Sequence, residues 1–476
     1  MRFLLLLGLC IFTVYSETYE EYLRSQEQAF SSFKEERDKE FSAFLNQEWK
    51  AYKEAQGLKA YEVEKPKVLL KAVKQKVVPP KEKVIVTTHV PKVQQQKVYE
   101  KIIIPAASKK LETLYLNFFG VDLELHYHRS VLISFRGDVS KNKIADSWDK
   151  LARSEYEVTL QELEKIMFKL RLNDWAKYLL IQKVSKGLFG DENRARLFSW
   201  FVLLKMGFDA HISFQKHKIV LLLPVKGDLY NTVYYTLNDK RYYAIDYYAK
   251  GKLGTIMSYD HVYEGADSGI DFSVEELPLV AEHKIKKPLT FRVNNKTIHI
   301  NLEYDKNILQ FFQTYPQVGN RHYFFSAESI TLENSIKSIF EPLILGRNQS
   351  EALDILLSFV QNAFKYQVDE LQFGREKVMF PSETLFYPYS DCEDRAIFFS
   401  YMVKTLLGLD VVGVKYTNHM VAAVKVQEKI EGEYINFSNT PYLLADPSYK
   451  NATMGVSMPQ FSGVKSYIIV STGGEK

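Results

Sequence analysis

One stretch of this chain occurs twice. Residues 190–210, GDENRARLFSWFVLLKMGFDA, lie without a gap over residues 391–411, DCEDRAIFFSYMVKTLLGLDV, at a constant offset (392 − 191 = 201). Coincident pairs are Glu192/Glu393, Arg194/Arg395, Ala195/Ala396, Phe198/Phe399, Ser199/Ser400, Val202/Val403, Gly207/Gly408 and Asp209/Asp410. With one residue of slippage His217 meets His419, and Asp246 in YYAIDYY then meets Asp446 in LLADPSY. A helix–strand–strand order repeated at this distance requires two similar folded units. The alternative is two amphipathic helices alike only in composition, but packing alone does not demand that the charged positions agree as well. At 476 residues the chain exceeds one hydrophobic core, and 46% hydrophobic residues are enough to fill two or three.

The copies differ at one chemically decisive position, where Asp191 faces Cys392. A carboxylate cannot do thiolate chemistry, so the first copy is expected to be catalytically dead and to serve structure or recognition. Only one other cysteine exists, Cys10, within MRFLLLLGLCIFTVYS. Residues 1–16 read as a secretory leader, with Arg2, an apolar run, and Val14 and Ser16 at −3 and −1 of a cleavage site. Lipid anchoring at Cys10 is less favoured, because Leu9 is larger than such processing prefers. The expected mature protein is secreted or periplasmic, has no transmembrane segment, and carries one thiol that cannot form an intramolecular disulfide. A retained lone thiol is either used or buried as a small hydrophobe. A formal net charge of +4 makes no case for nucleic-acid binding.

Residues 17–57 are polar and helix-prone, with Tyr19, Phe30, Phe41 and Tyr52 spaced by eleven, as are Tyr22, Phe33 and Phe44. Eleven residues make almost three α-turns, so these rings share one stripe of a long helix ending near Gly57. That stripe packs on its own protein or, as in a coiled coil, on a partner helix; membrane-surface binding is disfavoured by the mixed charges of the polar face. Residues 58–110, rich in Lys, Val and Pro, read as a stiff, extended, partly strand-like basic spacer reaching on the order of 150 Å. A plain linker is its simplest role, and contact with an anionic envelope polymer the sharper one. From residue 111 the pattern is globular. The expected divisions are a degenerate unit at 111–265, a β-rich connecting region at 266–335 with Asn294-Asn295 as a turn, and a second unit at 336–476.

In the second unit Ser390 or Asp391 caps a helix whose first turn holds Cys392, where free N–H groups and the helix dipole favour a thiolate. Ala396, Phe399, Met402, Val403 and Leu406 form the buried face and Gly408 the stop. His419 starts the second of two paired strands, and Asp446 ends another before Pro447. Thiolate attack on an amide needs a low-pKa sulfur, an acid for the leaving amine and an oxyanion site. Cys392, His419 and the Cys392 N–H can supply them, with Asp446 orienting the imidazole. Taken singly, His419 reads as a satisfied histidine and Asp446-Pro447 as a turn. Zinc ligation is disfavoured, since one sulfur and no CxxC or HxxxH pairing is present. Their joint order on the expected elements carries the reading.

Cys392-Glu393-Asp394-Arg395-Ala396, His419 before an apolar strand, and Asp446-Pro447 resemble the transglutaminase-like superfamily over about residues 340–460, and more loosely over 145–250. Ser390 stands where that family usually has glycine, and no Trp or Gln precedes Cys392 as oxyanion donor, leaving Tyr387 and Tyr389 as the nearby candidates. The resemblance implies an α+β chain with a papain-like catalytic domain preceded by a degenerate transglutaminase-like domain. It also implies a Cys392–His419–Asp446 triad without cofactor or metal, acting on a protein or peptide substrate by cysteine protease or amidase chemistry through a thioester. The alternatives are a non-catalytic binding or scaffold protein of the cell envelope, and a protein-glutamine transamidase.

Overall fold

The computed structural model describes residues 19–47, 49–55, 69–70, 73–75, 101–102, 110–135, 137–247, 253–293, 296–463 and 466–470. The leader with Cys10, most of the spacer and the Asn294-Asn295 turn lie outside the described residues. The chain is α+β, as expected. It opens with α1 (Tyr19–Leu45) and four short strands, β1 (Lys50–Tyr52), β2 (Leu69–Leu70), β3 (Val73–Gln75) and β4 (Lys101–Ile102). A hairpin, β5 (Glu112–Phe118) and β6 (Val121–Tyr127), leads into α2 (Lys141–Ala152), α3 (Tyr156–Lys169), α4 (Asp174–Phe189) and α5 (Glu192–Lys205). The strands β7 (His211–Gln215), β8 (Lys218–Leu222), β9 (Leu229–Tyr230), β10 (Tyr234–Leu237), β11 (Lys240–Tyr243) and β12 (Ile256–Ser258) complete the first unit.

Two ten-residue strands follow, β13 (Lys284–Val293) and β14 (Lys296–Asp305), pairing Val293 with Lys296 next to the tip. Then come α6 (Lys306–Phe312), β15 (Gln317–Val318), α7 (Asn320–Phe324), α8 (Ile330–Ile344), α9 (Gln349–Ala363), β16 (Lys365–Tyr366), α10 (Asp369–Phe373), α11 (Pro381–Phe386) and β17 (Tyr389–Ser390). Last are α12 (Cys392–Leu407) and the strands β18 (Val411–Tyr416), β19 (His419–Val424), β20 (Gly432–Phe437), β21 (Thr440–Ala445) and β22 (Ser466–Val470).

The duplication extends beyond the helix that announces it. In the second unit the sheet runs β2-β22-β18-β19-β21-β20-β3. In the first it runs β1-β12-β7-β8, continued to β11 and β10 by the Leu223–Tyr243 bridge. The strand order is the same, and each sheet borders the N-terminal segment at both edges. Lys50–Tyr52 pairs with β12 while Ala55 bridges Tyr234; Leu69–Leu70 pairs with β22 while Val73 pairs with Tyr434. Two intervening residues cannot span an open sheet, so each sheet curls until its edges meet one strand. Covered edges present no free ladder to other chains. The spacer is thus, in part, structural: its Leu69–Leu70 and Val73–Gln75 finish the second sheet.

Two sequence expectations differ from the structure. Helix α1 stops at Leu45, twelve residues before Gly57 (57 − 45 = 12), because Lys50–Tyr52 is taken up as an edge strand; sheet pairing overrides the helical propensity of WKAYKEA. Tyr52 therefore leaves the aromatic stripe. Region 266–335 holds the long β13–β14 hairpin and β15, with α6, α7 and the start of α8 beside them. No boundary falls at 336, inside α8; Leu289, Phe291 and Leu302 of the hairpin share a core with Ile336, Phe340 and Phe359.

Of the remaining stripe, Phe41 and Phe44 pack on their own chain, whereas Phe33 is 47% exposed. Phe41 is 3% exposed and sits edge-on to Trp148 (4.7 Å) and Tyr263 (5.1 Å). Beside it Asp38 accepts hydrogen bonds from Lys205 and from the Tyr263 hydroxyl (2.7 Å). Burial lowers the Lys205 ammonium to about 8 although Asp38 holds it charged. Among the described residues no helix is long and apolar enough to cross a membrane.

Candidate active site

Asp391 caps α12, and Asp394 completes a capping box by accepting the Asp391 N–H at 3.1 Å and the Met379 N–H at 2.9 Å. Cys392 is the first helical residue and 6% exposed. Arg395 locks this corner, donating to Ser390 Oγ (3.2 Å) and to the Phe364 carbonyl (2.8 Å) at the end of α9. Ser390, the residue that departs from glycine, is therefore the guanidinium's partner.

His419 opens β19 opposite Tyr416 and is 5% exposed. Its Nε2 lies 2.8 Å from Asp446 Oδ2. The other Asp446 oxygen accepts from Ser448 Oγ (2.7 Å), Ser448 N (3.0 Å) and Tyr449 N (3.1 Å), which fixes the carboxylate. Phe461 stacks on the imidazole at 4.7 Å with a 10° interplanar angle. Gln361 of α9, absent from the sequence reading, ties the end of β21 by donating to the carbonyls of Asp446 (3.1 Å) and Ala452 (3.0 Å). A glutamine at the polar edge of an otherwise apolar helix was its only sequence signal.

The structure brings His419 and Asp446 together, and Cys392 shares a buried cluster with Met420, the residue after His419. The thiol's own hydrogen bond, however, runs to Glu393 Oε2 (2.7 Å). Glu393 Oε1 in turn accepts from Lys415 Nζ (2.5 Å). This overturns the expectation of a thiolate favoured by the helix dipole. Burial, then Glu393 and Asp391, push the thiol well above its ordinary value. Burial also pushes Glu393 up, but Lys415 and the thiol's hydrogen bond leave it below the usual carboxylate range.

An unusual concentration of acid surrounds the sulfur. Burial and the neighbouring carboxylates raise Asp391 to about 11, Asp369 to about 8, and Asp394 and Glu376 to about 7. Among the described residues, two groups offer three ligand atoms within 4.8 Å, namely Asp391, Cys392 and Glu393, and Asp369, Asp391 and Asp394. Both Asp394 oxygens and one of Asp391 already accept backbone N–H groups, so these carboxylates are engaged as helix caps.

The anticipated tyrosine donors are directed elsewhere. Tyr387 packs against Phe373 and Phe386, and the Tyr389 backbone is clasped by the Gln372 amide (3.1 and 3.3 Å). Tyr366 on β16 is the phenol that feels the sulfur: burial, then Cys392, Asp391 and Glu393, raise it. Its only clue in the sequence is an aromatic residue after an amphipathic helix.

The first unit carries a neutralised counterpart. Asp246 follows β11 as Asp446 follows β21, but it accepts from the Tyr178 hydroxyl (2.6 Å) and Arg196 Nε (3.2 Å). Hairpin register places Lys218, not His217, where His419 stands. His217 lies exposed in the turn, 2.9 Å from Asp138. Asp191 is the cap of α5, accepting the Arg194 N–H at 2.9 Å.

No family model matches this chain, and neither the curated proteins nor the solved structures contain a significant match.

Proposed function

We propose that the second unit is a thiol-dependent amide hydrolase of transglutaminase-like type, in a protein exported through residues 1–16. The observation that carries this is the 2.8 Å His419–Asp446 pair, with Cys392 at the start of α12 in one buried cluster with Met420, the residue after His419. With Nε2 committed to Asp446, Nδ1 is the imidazole nitrogen left for the thiol. In the reaction, the Cys392 proton passes to that nitrogen and the sulfur attacks the amide carbonyl carbon. The carbon–nitrogen bond breaks as the imidazolium returns the proton to the leaving amine. Water, deprotonated by the same imidazole, then hydrolyses the thioester and frees the thiol. Asp446 holds the ring and its charge through the cycle. The Cys392 N–H at the start of α12 is the donor offered to the oxyanion.

The experiment is labelling by a thiol-directed electrophile together with peptide-library hydrolysis, wild type against Cys392→Ala. Hydrolysis that survives the substitution defeats the proposal. A non-catalytic binding role has one observation in its favour, the protonated thiol engaged by Glu393. It is the correct reading if Cys392 resists labelling and no amide in the library is cleaved.

A further inference from the structure

Apolar side chains left in water are not spread evenly over this molecule. Ten large hydrophobic residues are exposed among the described residues, and four of them, Tyr366, Val368, Leu371 and Phe386, fall between positions 366 and 386, just before Cys392. Their exposures run from 41% to 75%. Single exposed apolar residues are ordinary, whereas a contiguous group marks a surface that something covers.

The backbone makes this group contiguous. Strand β16 lies parallel to β17 with Tyr366 opposite Ser390, and the Gln367 N–H continues the ladder to the Ser390 carbonyl (3.3 Å). Tyr366 and Val368 alternate with Gln367 along this extended stretch and so share one face. Val368 is the extended cap of α10, and the Leu371 N–H returns to its carbonyl (3.1 Å), which sets Leu371 one turn on. Phe373 of α10 meets Tyr387 (5.0 Å), and Tyr387 meets Phe386 (5.0 Å), joining Phe386 to the group. The Gln372 amide, by clasping the Tyr389 backbone, keeps α10 against β17.

This face runs into the candidate active site. Strand β17 ends at Ser390, Asp391 caps α12, and Cys392 is the first helical residue. Ser390 and Cys392 are therefore at most about 7 Å apart along the chain. The Arg395 guanidinium, which donates to Ser390, also lies over the Tyr366 ring (5.3 Å) and fixes it there. The exposed parts of the four side chains amount to a few hundred Å², well short of the roughly 800 Å² per partner that a stable dimer buries. That area suits two or three side chains of a bound peptide.

We propose that this face docks the substrate of the second unit and selects peptides with bulky apolar side chains within about four residues of the amide presented to Cys392, an inference that rests on the hydrolase reading. An apolar segment gains by leaving water on Tyr366, Val368 and Leu371, and a serine-rich one of equal length does not.

The test is fluorescence anisotropy of the full-length mature Cys392→Ala protein with two labelled Gly/Ser decapeptides, one carrying Leu-Phe-Leu and the other Ser-Ser-Ser at its centre. Saturable binding of the apolar peptide is expected, with the serine peptide at least roughly tenfold weaker. Adding Val368→Ser/Leu371→Ser should weaken the apolar peptide at least roughly tenfold. Both side chains are exposed, so an unchanged melting temperature verifies the fold of that variant. With Cys392 intact, the apolar peptide should protect the thiol from iodoacetamide. Absence of saturable binding, equal binding of the two peptides, undiminished binding by the Val368/Leu371 variant, or no protection overturns the proposal. So does a dimer in sedimentation velocity that the same variant dissociates, which gives the face to a second copy of the chain. Binding that persists while no amide is cleaved refutes the hydrolase reading and leaves the docking surface standing; cleavage indifferent to apolar residues does the opposite.

Discussion

Substituting Glu393 by Gln should turn a resting thiol into a reactive one. The carboxylate lies 2.7 Å from the sulfur, and the gross repulsion between it and a thiolate at that distance is about 6 kcal/mol at an effective dielectric of 20. Lys415, on the far side of the same carboxylate, offsets much of this while Glu393 is charged. Once Glu393 is neutral, Lys415 becomes an uncompensated cation that draws the thiol in the same direction. The thiol pKa falls in consequence, and because the lower basicity takes back only part of the gain in thiolate, alkylation at pH 7.5 should be about tenfold faster. Lys415→Met should do the reverse at alkaline pH, above the point at which Glu393, pushed up by burial once Lys415 is gone, ionises beside the sulfur. Each single substitution breaks a buried pair at a cost of about 3–5 kcal/mol, so both melting temperatures fall. The assay is the iodoacetamide labelling rate of Cys392 by mass spectrometry between pH 5 and 10. General loosening of the site moves both variants the same way. Labelling shifted in one direction by both, or unchanged in Glu393→Gln, refutes the reasoning.

Other outcomes follow from the same contacts. Asp446→Asn should leave the protein folded and lower kcat for peptide hydrolysis by roughly 10²–10⁴, since the imidazole loses its fixed tautomer; a change of less than tenfold removes Asp446 from the triad. Asp391, Asp369, Asp394 and Glu328 all have folded-state values raised chiefly by burial, so the native state binds more protons than the unfolded one above about pH 4. Their contribution is complete below the unfolded carboxyl range and is lost progressively as pH rises from about 4 through about 7 and 8, and for Asp391 on to about 11, so the melting temperature should decline across that range. A melting temperature that climbs steadily from pH 4.5 to 8 contradicts this, and Asp391→Asn should flatten the slope. Phe41→Ala should cost about 3–5 kcal/mol and hasten proteolysis within α1, as read by limited digestion; an unchanged digestion pattern shows that α1 is not anchored there.

Local chemistry was legible in the sequence where one residue type does one job. The cap, thiol and buried face of α12 follow from DCEDRAIFFSYM, and the placement of His419 and Asp446 at strand ends follows from β-branched runs closed by turn residues. What escaped were contacts between residues far apart in the chain. Gln361 meets Asp446 across 85 positions, and Glu393 meets Lys415 across 22. No periodicity encodes such pairs. The thiol's protonation was misjudged for a related reason: the helix dipole is local and readable, whereas burial and a carboxylate cluster assembled from α10, α12 and the loop between α10 and α11 are tertiary. The early end of α1 belongs to the same class, since only the partner strand β12 explains why Lys50–Tyr52 is extended.

The two units share a frame and differ in what meets the carboxylate that follows their fourth strand. Both units retain the strand order, the capped helix, the carboxylate after the fourth strand of the core and an edge strand from the N-terminal segment. In the first unit the carboxylate of Asp246 is satisfied by Arg196 and Tyr178, so no titratable base is left between it and the helix start. In the second, the same position is held by Ser448 and Tyr449 and reserves one oxygen for His419. A buried carboxylate must be paired in either case. Frame and chemistry are therefore separable here: exchanging an arginine for an imidazole as the partner of one aspartate distinguishes a structural domain from a candidate enzyme. The N-terminal segment lends an edge strand to each sheet.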